Sequence, residues 1–145
     1  MPTATSAGPI LIVDDEPDTV RYLEMVLHDN GYRTVTASDG EAALAAARRE
    51  KPLLVTLDVS MPKASGTRFY RAMKEDAGLA SVPIVIVTGV TGYGGDPYAY
   101  KAFLDGRSTP PPDAYFPKPI DRDGFLAAVK RLTPASFPPK PVGAQ

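Results

Sequence analysis

The chain has no cysteine, which excludes a disulfide framework and a thiolate zinc site. It also lacks a long apolar run: the longest are a handful of residues, far short of the roughly 20 that a membrane-spanning helix needs. The opening Met1-Pro2-Thr3-Ala4-Thr5-Ser6 places no basic region ahead of an apolar stretch, so no secretory leader is expected and the cytoplasm is the default location. An excess of either charge is missing as well. The formal net charge is -1, which gives no reason to expect the basic face that nucleic-acid binding uses.

Hydrophobic residues make up 43% and charged residues 23% of the chain, the balance of a soluble globular protein. Its 145 residues suffice for one domain with a working core. Proline is plentiful, with 16 residues, many of them after position 109. Pro110-Pro111-Pro112 interrupts the chain before its last strand, and the tail from Pro134 to Gln145 suits an extended or disordered end. The expected organisation is a disordered start over 1–8, one domain over 9–133 and a Pro-rich tail over 134–145.

Short apolar runs alternate with helical periodicity. Ile10 to Val13, Leu53 to Leu57 and Ile84 to Val87 are continuous apolar or β-branched runs, as parallel strands covered on both faces should be. Two further strands are expected at Tyr32 to Ala37 and Ala114 to Pro117. Between them, helices are expected from Glu16-Pro17 to Asn30-Gly31, from Glu41 to Arg49, from Thr67 to Lys74, from Asp96-Pro97 through Leu104, and from Asp121 with a stripe of Phe125, Ala128, Val129 and Leu132. Five strands alternating with five helices predict an α/β protein: a doubly wound, five-stranded parallel sheet.

The chemistry collects where these strands run out. Asp14 and Asp15 follow the first, Asp58 follows the third, Thr88 closes the fourth and Lys118 follows the last. Ligands of open parallel sheets bind outside the carboxyl ends of the strands. Clustered carboxylates repel one another, and a hard cation relieves that; Mg²⁺ is held by one or two carboxylates with phosphate oxygens and water. An aspartate can attack phosphorus to give an aspartyl phosphate, whose added charge calls for a cation and an amine. Taken singly, each residue has an ordinary reading: a helix-start acidic pair, a turn aspartate, a β-branched strand residue, a surface lysine. All of them at strand ends, in this order, favour the site.

The same residues carry a resemblance. Ile10-Leu11-Ile12-Val13-Asp14-Asp15-Glu16, Leu57-Asp58-Val59-Ser60-Met61-Pro62 with Gly66 beyond, Pro83 to Gly89, and Tyr115-Phe116-Pro117-Lys118-Pro119 make the chain similar to the receiver domains of two-component response regulators over residues 9–133. The resemblance implies a flavodoxin-like sheet of strand order 2-1-3-4-5, an order the chemotaxis receivers exemplify. It implies Asp58 as phosphoacceptor and Mg²⁺ held by Asp15 and Asp58 directly, Asp14 through water and the backbone carbonyl of Ser60. Thr88 and Lys118 would grip the phosphoryl oxygens, Tyr115 would be the switch aromatic, and the Lys118-Pro119 bond would be cis. The implied partners are a histidine kinase or phosphotransfer protein and a downstream protein target, with homodimerisation through the face of the fourth helix, fifth strand and fifth helix. Catalysis would be limited to the domain's own phosphorylation and slow self-hydrolysis.

One stretch departs from the family. The connection from Thr88 to Lys118 is several residues longer than usual, the excess lying in Gly92 to Asp96 and Gly106 to Pro112, beside the fourth expected helix. It reads either as loop drift or as a remodelled partner face. The latter leaves room for a second function, a phosphorylation-independent docking module. A third, a phosphohydrolase with an aspartyl nucleophile, suffers from Ser60 standing where such enzymes place a second acid. His28, the single histidine, suits a helix end, as do Arg48, Arg49 and Lys51.

Overall fold

In a computed structural model of the chain, residues 8–58, 65–88 and 112–133 are described. They form β1 (Ile10–Val13), α1 (Pro17–Asp29), β2 (Thr34–Ala37), α2 (Gly40–Arg49), β3 (Leu54–Leu57), α3 (Ser65–Glu75), β4 (Ile84–Thr88), β5 (Ala114–Pro117) and α4 (Arg122–Leu132). All strand pairs are parallel, and the sheet order is β2-β1-β3-β4-β5. The expected doubly wound fold is therefore present. Among the described residues there are four helices; the one expected from Asp96 through Leu104, the Pro110-Pro111 spacer and the tail lie outside them.

Alternation along each strand sorts the core into two layers. On one face Leu11, Val13, Val55, Leu57, Ile84 and Ile86 meet α2 through Ala43, Ala46 and Ala47, and α3 through Phe69, Tyr70 and Met73. On the other face Ile10, Ile12, Leu54, Val85 and Val87 meet α1 through Leu23, Val26 and Leu27, and α4 through Phe125, Leu126 and Val129. The Ala stripe of α2 lets that helix sit close to the sheet. The residues of both layers are buried, and the central strands carry mainly apolar side chains, with a buried Thr56 among them, because both sides are covered.

The helix starts are set by local chemistry. Pro17 opens α1, where its missing N–H costs nothing. Asp39 caps α2 by accepting from the Ala42 N–H at 2.8 Å, and Asp121 caps α4 by accepting from Gly124. Gly31, at φ 89°, turns the chain after α1, a conformation that glycine adopts without penalty. The expected second strand begins two residues late as a result. Tyr32 donates its N–H to the Leu27 carbonyl, and its buried hydroxyl meets Thr133 Oγ1 at 3.1 Å, so it belongs to the turn and not to the sheet.

Among the described residues β5 lies on the sheet edge, paired with β4. Pro117, without an N–H, is tolerated there. Asp113 fixes the start of this strand: its carboxylate accepts the Ile84 N–H at 2.9 Å and its own N–H donates to the Ile84 carbonyl.

Candidate functional site

Register brings the acids together. Val13 is level with Leu57 in the β1–β3 pair, so the next residues, Asp14 and Asp58, emerge side by side at the carboxyl edge. The ladder continues as Asp14 N–H donates to the Ala37 carbonyl and Asp58 N–H to that of Val13. Asp14 and Asp58 are both only 3% exposed, whereas Asp15 is exposed. One carboxylate oxygen from each of the three lies within 4.8 Å of the others. A cavity of about 510 Å³ between α1 and the start of α2 opens onto Asp14 and Asp15, so the cluster is reachable from solvent.

Lys118 reaches the cluster from the far edge. Leu57 is level with Ile86 and Ile86 with Tyr115, which places Lys118 three positions further along and two strands away from β3. Its long side chain crosses the end of β4. Nζ lies 3.1 Å from Asp14 Oδ2, 3.0 Å from Glu16 Oε1 and 3.5 Å from Asp58 Oδ2. The Lys118-Pro119 peptide bond is cis, as the family resemblance implied.

The protonation of these groups follows from their packing. Burial pushes the Asp14 carboxyl up to about 6, and the Asp58 charge adds to the rise; the Glu16 N–H, donating to Asp14 Oδ1 at 2.9 Å, and Lys118 oppose it. Burial alone would pull the Lys118 amine down, but Glu16, Asp58 and Asp14 together hold it above its usual value. The exposed Glu16 carboxyl is held below its usual range by the Thr19 hydroxyl and by Lys118.

One ammonium does not balance three clustered carboxylates and Glu16. The three acids supply only hard oxygen donors, at a spacing one ion can bridge, and no nitrogen or sulfur ligand stands among them. That donor set fits Mg²⁺ or a similar hard cation and does not fit zinc.

Asp14, Asp15, Asp58 and Lys118 are thus brought to one place. Thr88 closes β4 opposite Pro117, placed by its backbone. Tyr115 is half-buried against the core layer of α2 and α3. Ser60 lies outside the described residues. Glu16 is the residue that sequence reasoning passed over. It looks like an ordinary helix-start acid, and its tie to Lys118 spans 102 positions. His28 is a helix-end residue bonded to Thr34 Oγ1 at 2.8 Å, and Arg48 faces Asp76 of the turn after α3.

Comparison with known proteins gives the same direction. The family model of the response regulator receiver domain matches residues 10–130. The response regulator PleD of Caulobacter vibrioides is 36% identical over 124 residues, covering 86% of this chain but 26% of PleD. The chain thus spans about a quarter of that relative. Protein PilH of Pseudomonas aeruginosa is 32% identical over 123 residues, covering 85% of this chain and 95% of PilH. Among solved structures, the response regulator TrrA of Thermotoga maritima in complex with Mg²⁺-BeF superposes with a TM-score of 0.68 at 30% identity, covering 86% of this chain and 98% of TrrA. The chain belongs to the response regulator receiver domain family.

Proposed function

We propose that this response regulator receiver domain, spanning residues 9–133, is a phosphorylation-dependent signalling switch whose phosphoacceptor is Asp58. The observation that carries the reading is the placement of Asp58: a buried carboxylate beside Asp14 and Asp15 with the Lys118 amine 3.5 Å away. A carboxylate so placed has a nucleophilic oxygen, neighbours able to hold a cation and an amine on the flank where new negative charge appears.

In the reaction, one Asp58 oxygen bonds to the phosphorus of a phosphohistidine on a histidine kinase or phosphotransfer protein. The N–P bond breaks, its electron pair returns to the imidazole, and that ring is left neutral or picks up a proton from water. Phosphoryl transfer needs little from the protein besides positioning and charge neutralisation. Asp15 and Asp58 would hold Mg²⁺ directly, with Asp14 through water and the Ser60 carbonyl as a further ligand, and the ion would supply the larger share of that neutralisation. Lys118 donates to a phosphoryl oxygen from the β5 side, and Thr88, at the end of the intervening strand, donates to another. Movement of Thr88 toward the phosphoryl group vacates space for Tyr115, which couples Asp58 to the edge of the sheet and to a downstream protein target or a second copy of the domain.

Incubation with Mg²⁺ and acetyl phosphate, followed by intact-protein mass spectrometry, tests the assignment. Wild type should gain one phosphoryl group only when Mg²⁺ is present, and Asp58→Ala should gain none. Equal labelling of the two proteins contradicts it.

A further inference from the structure

Lys118 has three N–H donors, and three carboxylates already surround it: Asp14, Glu16 and Asp58. Two of these belong to the buried acidic cluster. Glu16 does not. Its side chain is 57% exposed, yet Oε1 is held from two sides, by Lys118 Nζ at 3.0 Å and by the Thr19 hydroxyl at 2.7 Å. Its backbone is anchored too, through the N–H donated to Asp14 Oδ1. A residue with nothing to hold would leave its carboxylate in water at this exposed helix start.

We propose that Glu16 is a positioning residue that acts as a displaceable counter-ion for Lys118, occupying the amine until a phosphoryl anion arrives and so setting the affinity of the site for that anion. The inference rests on the reading of Asp58 as phosphoacceptor. An anion bonded to Asp58 needs a donor from Lys118, and one of the three existing partners must give way. Asp14 and Asp58 are each only 3% exposed and fixed at strand ends, whereas the Glu16 side chain is 57% exposed. Glu16 alone returns to solvent, and an exposed ion pair of this kind is weak. The contact is therefore strong enough to aim the amine in the resting protein and weak enough to yield.

Removing the charge should make the amine easier to recruit. Asp18 gives the control for a general charge effect. It lines the same groove as Glu16, Thr19 and Lys118, but its carboxylate faces Arg21 at 3.6 Å.

The experiment is a titration of wild type, Glu16→Gln, Thr19→Val and Asp18→Asn with beryllofluoride at saturating Mg²⁺, followed by fluorine NMR of the bound anion. Glu16→Gln should bind it about two- to fivefold more tightly, the ratio that an exposed ion pair supports. Thr19→Val, which frees Glu16 without removing its charge, should move the same way by less, and Asp18→Asn should match wild type. Equal tightening in Glu16→Gln and Asp18→Asn overturns the proposal in favour of bulk charge, as does no tightening in Glu16→Gln. A wild type that takes up no beryllofluoride overturns the phosphoacceptor reading itself, and this inference with it.

Discussion

At the scale of single residues, the site is built under electrostatic tension. Asp14 is the clearest case, since its carboxyl is raised to about 6 by burial and by Asp58. An acid raised in the folded state binds its proton more tightly there than in the unfolded chain. Its ionisation then costs folding free energy, a cost that grows as pH rises from the usual carboxylate range to about 6 and is complete above it. Asp14→Asn should therefore be more stable than wild type in metal-free urea denaturation at pH 8, with the advantage shrinking toward pH 4. The same proton competes with a metal ion. Mg²⁺ affinity should be level above pH 7 and fall as pH drops below about 6, by at most about tenfold per unit for one competing proton. Titration calorimetry over that range checks it, and a flat profile counts against the role given to Asp14.

The residue scale is also where sequence reading fell short. The strand-end positions of Asp14, Asp15, Asp58, Thr88 and Lys118 were legible because each follows or closes an apolar run, a local signal. Glu16 carried none, because its role depends on an amine 102 positions away. Asp113 was equally silent; beside a run of prolines it reads as a loop acid, and only the β4–β5 pairing gives its carboxylate the Ile84 N–H to accept.

At the scale of elements, legibility tracked burial. The central strands were plain because both faces are covered, and α4 was plain from its spaced apolar stripe, whose buried members include Phe125, Ala128 and Val129. β2 was overextended because Tyr32, a residue with strand preference, is held by the turn and by Thr133. Since the Thr133 hydroxyl donates to the Val129 carbonyl, its single proton is committed and Tyr32 is the donor between them. The cap on α4 yields a prediction. Asp121→Ala removes the acceptor for the Gly124 N–H and should cost about 1 kcal/mol in urea denaturation. Phe125→Ala should cost about 3–5 kcal/mol, because its fully buried ring packs edge-on to Phe116 at 5.8 Å and closes the layer under β5.

At the scale of the whole molecule, the two core layers hold a sheet whose carboxyl edge gathers like charges. A cation bound there stabilises the folded chain by mass action. Mg²⁺ at about 100 times its Kd should add about 2.7 kcal/mol, and a chelator should remove it; the gain should be largely lost in Asp58→Asn. Asp58 lies at the end of the central strand and Tyr115 on the edge strand, with β4 between them, so under the proposed mechanism the signal would have one strand to cross.

Which atom takes up the phosphoryl group is open to direct measurement. An aspartyl phosphate is an acyl phosphate, and borohydride reduces it at the modified residue alone. After Mg²⁺ and acetyl phosphate treatment, reduction and peptide sequencing by mass spectrometry, conversion is expected at Asp58, with Asp14 and Asp15 unchanged. Conversion at another carboxylate, or a phosphoryl group that resists borohydride, would contradict it.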